Sequence, residues 1–130
     1  EFLRILAPGG HVALIWNRRD TDDPLQRGYD ALMRAYVRDY AELCHHGLGE
    51  DDIADFLGTV PYHGACSNEQ VVDLASLLGR ARSASYFPGE GRPGHRRLVS
   101  GLGALFEEHA SDGAVVLRYR TEVFAGRLCP

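Results

Sequence analysis

Apolar residues gather at Phe2, Leu3, Ile5 and Leu6, and again in an almost unbroken run from His11 to Trp16. Pro8-Gly9-Gly10 separates the two groups. The first group has helical spacing and predicts a helix over the opening residues. Pro8 biases Ala7 away from helical geometry, and the glycines that follow permit a tight reversal. The run over 11–17 has strand length. Its continuous apolar character predicts a strand covered on both faces, as in a parallel sheet. A helix feeding such a strand is the signature of α/β architecture.

Further along, Asp23-Pro24 reads as an N-cap followed by a first-turn proline. Leu25, Tyr29, Leu32, Met33, Tyr36, Val37 and Tyr40 then recur at three- and four-residue steps and predict an amphipathic helix over about 24–44. His45-His46-Gly47 closes it, with Gly47 as the C-cap. The acidic stretch 50–58 is a loop or a short helix, and 60–66 a short strand. Ser67-Asn68-Glu69-Gln70 has the form of a capping box and predicts a helix carried by Val71, Val72, Leu74, Leu77 and Leu78 as far as Gly79. Residues 80–92 are rich in Arg, Ser, Gly and Pro and predict a loop. A helix over about 93–110 presents Leu98, Leu102, Leu105 and Phe106 on one face. After the turn Ser111-Asp112-Gly113, a strand over 114–125 alternates in a way that predicts one exposed face, as in an antiparallel addition to a parallel sheet.

No Ser, Thr, Asp or Asn precedes Glu1 to cap the opening helix, and residue 1 is not Met. The expectation is that residues 1–130 are the later part of a single domain whose earlier part lies upstream. No repeat, low-complexity segment or internal linker divides the chain.

Composition narrows the functional classes. A formal charge of −4 argues against nucleic-acid binding through bulk charge and leaves open a local patch such as Arg80, Arg82, Arg92, Arg96 and Arg97. All 14 basic residues are arginine, which reads as coding bias and weakens any argument from one arginine alone. Cys44, Cys66 and Cys129 form no CxxC pair, so neither a zinc site nor a disulfide framework is expected. An odd cysteine count fits a reducing cytoplasm. No signal peptide is visible, and no apolar run nears the roughly 20 residues of a membrane span.

The stretch Arg4-Ile5-Leu6-Ala7-Pro8-Gly9-Gly10, leading into the strand over 11–17, resembles a boundary in class I S-adenosylmethionine-dependent methyltransferases of the type 11-like group. There a helix with an R-[VI]-L-x-P-G-G ending precedes the fifth strand. Ala7 departs from the family's usual lysine. Ser83-Ala84-Ser85-Tyr86 is similar to a segment on the family's substrate side, and Val116–Val123 resembles its closing strand. The resemblance implies the C-terminal portion of a Rossmann-like methyltransferase sheet, incomplete without its upstream half, with one central strand and one or two strands near its edge. It also implies methyl transfer from S-adenosylmethionine to a small-molecule acceptor. The family's glycine-rich cofactor loop and ribose-binding acid lie upstream of the matched region. This chain then holds no cofactor-binding residue, and an isolated copy is expected to self-associate through an exposed sheet edge.

Candidate site residues follow from position and chemistry. Trp16, Asn17, Arg18, Arg19 and Asp20 end the first strand, where ligands sit in α/β sheets. Asn17 and Arg18 are read as substrate-binding. Asn17 and Asp20 equally suit a turn. By the resemblance, Ser85 and Tyr86 contact substrate, with Ser83 beside them. The pocket is expected between the loop after Trp16, the helix 24–44 and the loop 80–90. His63, beside Tyr62, is either a general base or a satisfied structural histidine. His45-His46 is either a metal pair or a helix-end pair favoured by the dipole. Arg92, Arg96 and Arg97 suit a carboxylate or phosphate, or a solvated helix start. Tyr29, Tyr36 and Tyr40 line the core or the pocket. Two other classes remain open: a non-catalytic α/β binding module, and another Rossmann-type enzyme such as a nicotinamide-dependent reductase.

Overall fold

The structure, a computed structural model, describes residues 1–43, 49–58 and 61–128. Helix α1 spans Phe2–Ile5 and strand β1 Val12–Arg19. Helices α2 (Pro24–Tyr36), α3 (Tyr40–Leu43) and α4 (Glu50–Leu57) follow. Strand β2 (Tyr62–Val72), helices α5 (Leu74–Ser83) and α6 (His95–His109) and strand β3 (Val115–Gly126) complete the order. The fold is mixed α/β, with a three-stranded antiparallel sheet in the order β1-β3-β2. Asp20 N–H donates to the Arg118 carbonyl at 3.1 Å, and Asn17 meets Thr121. These pairs fix the antiparallel register of β1 on β3.

Three sequence expectations are corrected. β1 is an edge strand of an antiparallel sheet with β3 at its centre, where the sequence pattern predicts a central strand of a parallel sheet, and β1 is not covered on both faces. Ile15 is 64% exposed, and Ala13 and Asn17 are exposed too. The apolar run from His11 to Trp16 therefore overstated burial. The helix expected over 67–79 is instead strand through Val72, then helix from Leu74. The β-branched pair Val71-Val72 favours extended backbone. The cap belongs to Asp73, whose carboxylate accepts from Ser76 N–H at 2.7 Å. Finally, the helix expected over 24–44 breaks after Tyr36, where Val37 is extended and Asp39 has a φ of +58°. Gly47 and the histidines before it lie outside the described residues.

Hydrogen bonds from Ser76 hold the Asp73 carboxyl below its ordinary pKa. A depressed carboxylate stabilises the fold above its unfolded pKa and loses that contribution as pH falls through the folded value. Amide exchange at Ser76 and Leu77 is therefore expected to accelerate as pH falls below about 4, once intrinsic rates are removed. Asp73→Asn removes this pH step.

The described residues divide into two compact units. The first comprises 1–18, the described part of 46–68, and 119–128; the second comprises 19–43 and 69–118. In the first, Val12, Ile53, Leu57 and Phe124 form the core, with Leu6, Leu14, Trp16 and Leu128 packed on it. The Phe124 ring lies between Trp16, stacked at 5.2 Å, and His63, stacked at 4.1 Å. In the second, α6 packs against α2 and α5. Met33, Leu77, Ala81, Leu98 and Leu102 are fully buried there, with Val115 and Leu117 of β3 nearly so.

Two glycines permit the close approach of α2 and α6. A Cβ at Gly28 would lie 2.5 Å from Leu105 Cδ1, and one at Gly101 would lie 2.7 Å from Leu32 Cδ2. Each helix thus offers a glycine to a leucine of the other. Gly94 precedes α6 with a φ of +88°, and a Cβ there would meet the Tyr36 carbonyl at 2.9 Å. The end of α2 and the start of α6 thus approach where a side chain at position 94 would not fit.

Candidate functional site

The residues that end β1 divide sharply by what they touch. Asn17 accepts from the Thr121 hydroxyl at 2.6 Å, and Asn68 donates to Thr121 at 3.2 Å. Arg18 pairs through Nε with Glu122, a buried carboxylate that also accepts from Trp16 Nε1 at 3.2 Å. Asp20 shapes the turn: its carboxylate accepts from Asp22 N–H at 3.0 Å. The two residues read as substrate-binding, Asn17 and Arg18, are thus already engaged across the sheet.

Arg19 is different. It closes β1, and its guanidinium lies over the Tyr29 ring, 4.0 Å from the centroid. Its electrostatic neighbours are Tyr29, Tyr40 and Tyr86. Nη1 is buried and has no hydrogen-bond partner. No carboxylate among the described residues forms an ion pair with Arg19, whereas Arg18, Arg34 and Arg118 each have one. Burial disfavours the charge, but the tyrosines outweigh it and raise the guanidinium pKa above its ordinary value. They shelter the cation without neutralising it.

Local sequence explains how the cluster is built. The Asp23 cap accepts from Gln26 N–H at 3.0 Å and pairs with Arg118 at 2.8 Å, while Gln26 Nε2 donates to the Arg118 carbonyl at 2.9 Å. The start of α2 is therefore held to β3, which places Tyr29 one turn later beneath Arg19. Tyr40 begins α3 after the break and meets Tyr86 edge-on at 5.3 Å. Tyr29 and Tyr40 are buried, and Tyr86 is half-buried. The three contributing segments are those expected from sequence to enclose a pocket: the end of the first strand, the helix after it and the loop that holds Ser85. Ser85 is exposed beside Tyr86, and the Ser83 hydroxyl donates to the Arg80 carbonyl at 2.7 Å.

The remaining candidates lie elsewhere. His63 belongs to the first unit, stacked on Phe124 with Nδ1 3.5 Å from a Glu50 carboxylate oxygen. Its contacts are those of a packed ring beside an exposed acid. Arg96 lines an open groove with Glu90, Gly91, His95, Val99 and Ser100. Arg97 approaches the Tyr36 ring at 6.0 Å. His45 and His46 lie outside the described residues, and no group of three metal-ligating side chains occurs among the described ones. No helix among them is long and apolar enough to cross a membrane.

Among known proteins, no family model and no curated protein matches this chain. Sequence reasoning named Arg19 only as one of five residues ending the strand. The signal that singles it out is the set of tyrosines at 29, 40 and 86, which only the fold assembles.

Proposed function

We propose that the chain is the substrate-side portion of a Rossmann-like, S-adenosylmethionine-dependent methyltransferase acting on a small molecule. The observation that carries this reading is the sheet order. A strand entered through Pro8-Gly9-Gly10 is joined on one side by an antiparallel closing strand, and no strand among the described residues pairs with its other edge. That edge is where the sheet of such a domain would continue, and exposed Phe2, Leu3, Ile5 and Ile15 lie on α1 and β1. Self-association of an isolated chain would use the same edge. The odd cysteine count supports action in the cytoplasm.

S-adenosylmethionine supplies the electrophilic methyl when bound. The chain's own contribution is to hold and orient the acceptor, and positioning of this kind lowers the barrier to displacement. Ser85 and Tyr86 are the proposed substrate contacts, whereas Asn17 and Arg18 are engaged within the sheet and His63 is stacked on Phe124.

The test uses the full-length gene product, methyl-labelled S-adenosylmethionine and a small-molecule extract of its source cells. Label recovered in a low-mass product is expected. Label found only in protein or nucleic acid would overturn the small-molecule reading.

A further inference from the structure

Among the candidates in the molecule, the apolar surface of α1 and β1 has nothing to identify its partner, and the groove beside Arg96 mixes acid and base. Arg19 is half-buried, its buried Nη1 has no hydrogen-bond partner, and no carboxylate among the described residues pairs with it.

We infer that the Arg19–Tyr29–Tyr40–Tyr86 cluster binds the carboxylate of a small organic acid. The argument starts from the unsatisfied donor. A buried N–H without a partner is costly, and one on a charged group more so. Stacking on Tyr29 compensates the face of the guanidinium, and Tyr29 also serves it as a side-chain hydrogen-bond partner, but Nη1 is left without one. A carboxylate oxygen is the natural acceptor for that fork. Arginine is also the basic residue best suited to such a site, because it stacks on aromatic rings and is weakly hydrated.

Charge selects the ligand class. One unmatched positive charge calls for a monoanion. The nearby Arg34, 5.8 Å from the Tyr40 ring, is already paired with Asp30 at 2.6 Å and so does not offer a second charge to balance a phosphate dianion. The three tyrosine rings supply apolar walls that favour a ligand with a planar or aromatic body next to its carboxylate. The half-buried side of the cluster, at Tyr86 and exposed Ser85, is where such a ligand enters.

This names the acceptor class for the proposed methyl transfer and rests on that reading for the word acceptor alone; the binding itself does not depend on it. In the test, benzoate is titrated into the 130-residue chain, with inorganic phosphate in parallel. The Arg19 side-chain N–H and tyrosine ring resonances are followed by NMR. Saturable benzoate binding that shifts Arg19 and Tyr86 together, with phosphate much weaker, is expected. Arg19→Met should weaken benzoate by about tenfold or more. Arg19→Lys, which keeps the charge and loses the fork, should fall between the two. Thermal melts show whether each variant is folded. If Arg19→Met does not fold, Tyr86→Ala, which removes one of the apolar walls, serves in its place, with a loss of several-fold. Benzoate binding that survives these substitutions, benzoate and phosphate binding equally, or no binding at all would each overturn the inference. None of these bears on cofactor binding, which is measured separately.

Discussion

Replacing Phe124 by alanine is expected to lower the stability of the chain by about 3–5 kcal/mol. The ring is 2% exposed and is covered on its two faces by Trp16 and His63. Ile53 and Leu57, both fully buried, belong to the same core. Truncation removes the ring's transfer free energy and leaves a void that two flat neighbours fill poorly. Domains are commonly stable by only about 5–15 kcal/mol, so a large share is lost. Trp16 is the chain's only tryptophan and reports on this core directly. Urea titration followed by its fluorescence should give a midpoint far below that of the wild type. Phe124→Leu, which keeps most of the volume, should cost much less. A midpoint for Phe124→Ala within experimental error of the wild type would refute this packing.

The second large effect concerns the approach of α2 and α6. Gly28→Val and Gly101→Val are each expected to cost about 1–3 kcal/mol through overpacking. The new side chains would meet Leu105 and Leu32 at distances far inside van der Waals contact. The sign is diagnostic, because glycine within a helix is by itself unfavourable by roughly 0.5–1 kcal/mol relative to alanine. Gly103 lies in the same helix, and a Cβ there would meet nothing within 4 Å. Gly103→Ala should therefore stabilise the chain while the substitutions at 28 and 101 destabilise it. Chemical denaturation of the three variants side by side separates packing from propensity. Stabilisation by all three would mean that the helices do not approach as described.

Much of this architecture was legible in the residues. Asp23-Pro24 marked the start of α2, Leu98, Leu102, Leu105 and Phe106 marked α6, and alternation marked β3. These signals are local, and local signals survive in the fold. The failures came where distant pairing decided the outcome. Ser67-Asn68-Glu69-Gln70 has the spacing of a cap, yet its polar side chains serve the sheet. Asn68 binds Thr121, Glu69 pairs with Arg118 at 3.1 Å, and Gln70 accepts from Arg80. Such partners are invisible to a four-residue pattern. Burial along β3 also changes phase: Val115, Leu117 and Tyr119 are buried in its first half, Glu122 and Phe124 in its second. A simple alternation rule assigns one face throughout and misses this. The candidate site was half visible. Its three segments were anticipated, but Asn17 and Arg18 drew attention because they are polar and follow the apolar run. Arg19 stands out only when its neighbours are known to be aromatic and no carboxylate among the described residues pairs with it.

The most direct test of the functional account is a calorimetric titration of the full-length gene product with S-adenosylhomocysteine, run beside NADH. The account predicts saturable binding of S-adenosylhomocysteine and none of NADH. Binding of NADH without S-adenosylhomocysteine would contradict methyl transfer and favour a nicotinamide-dependent enzyme, and binding of neither would leave a ligand-binding module as the better description.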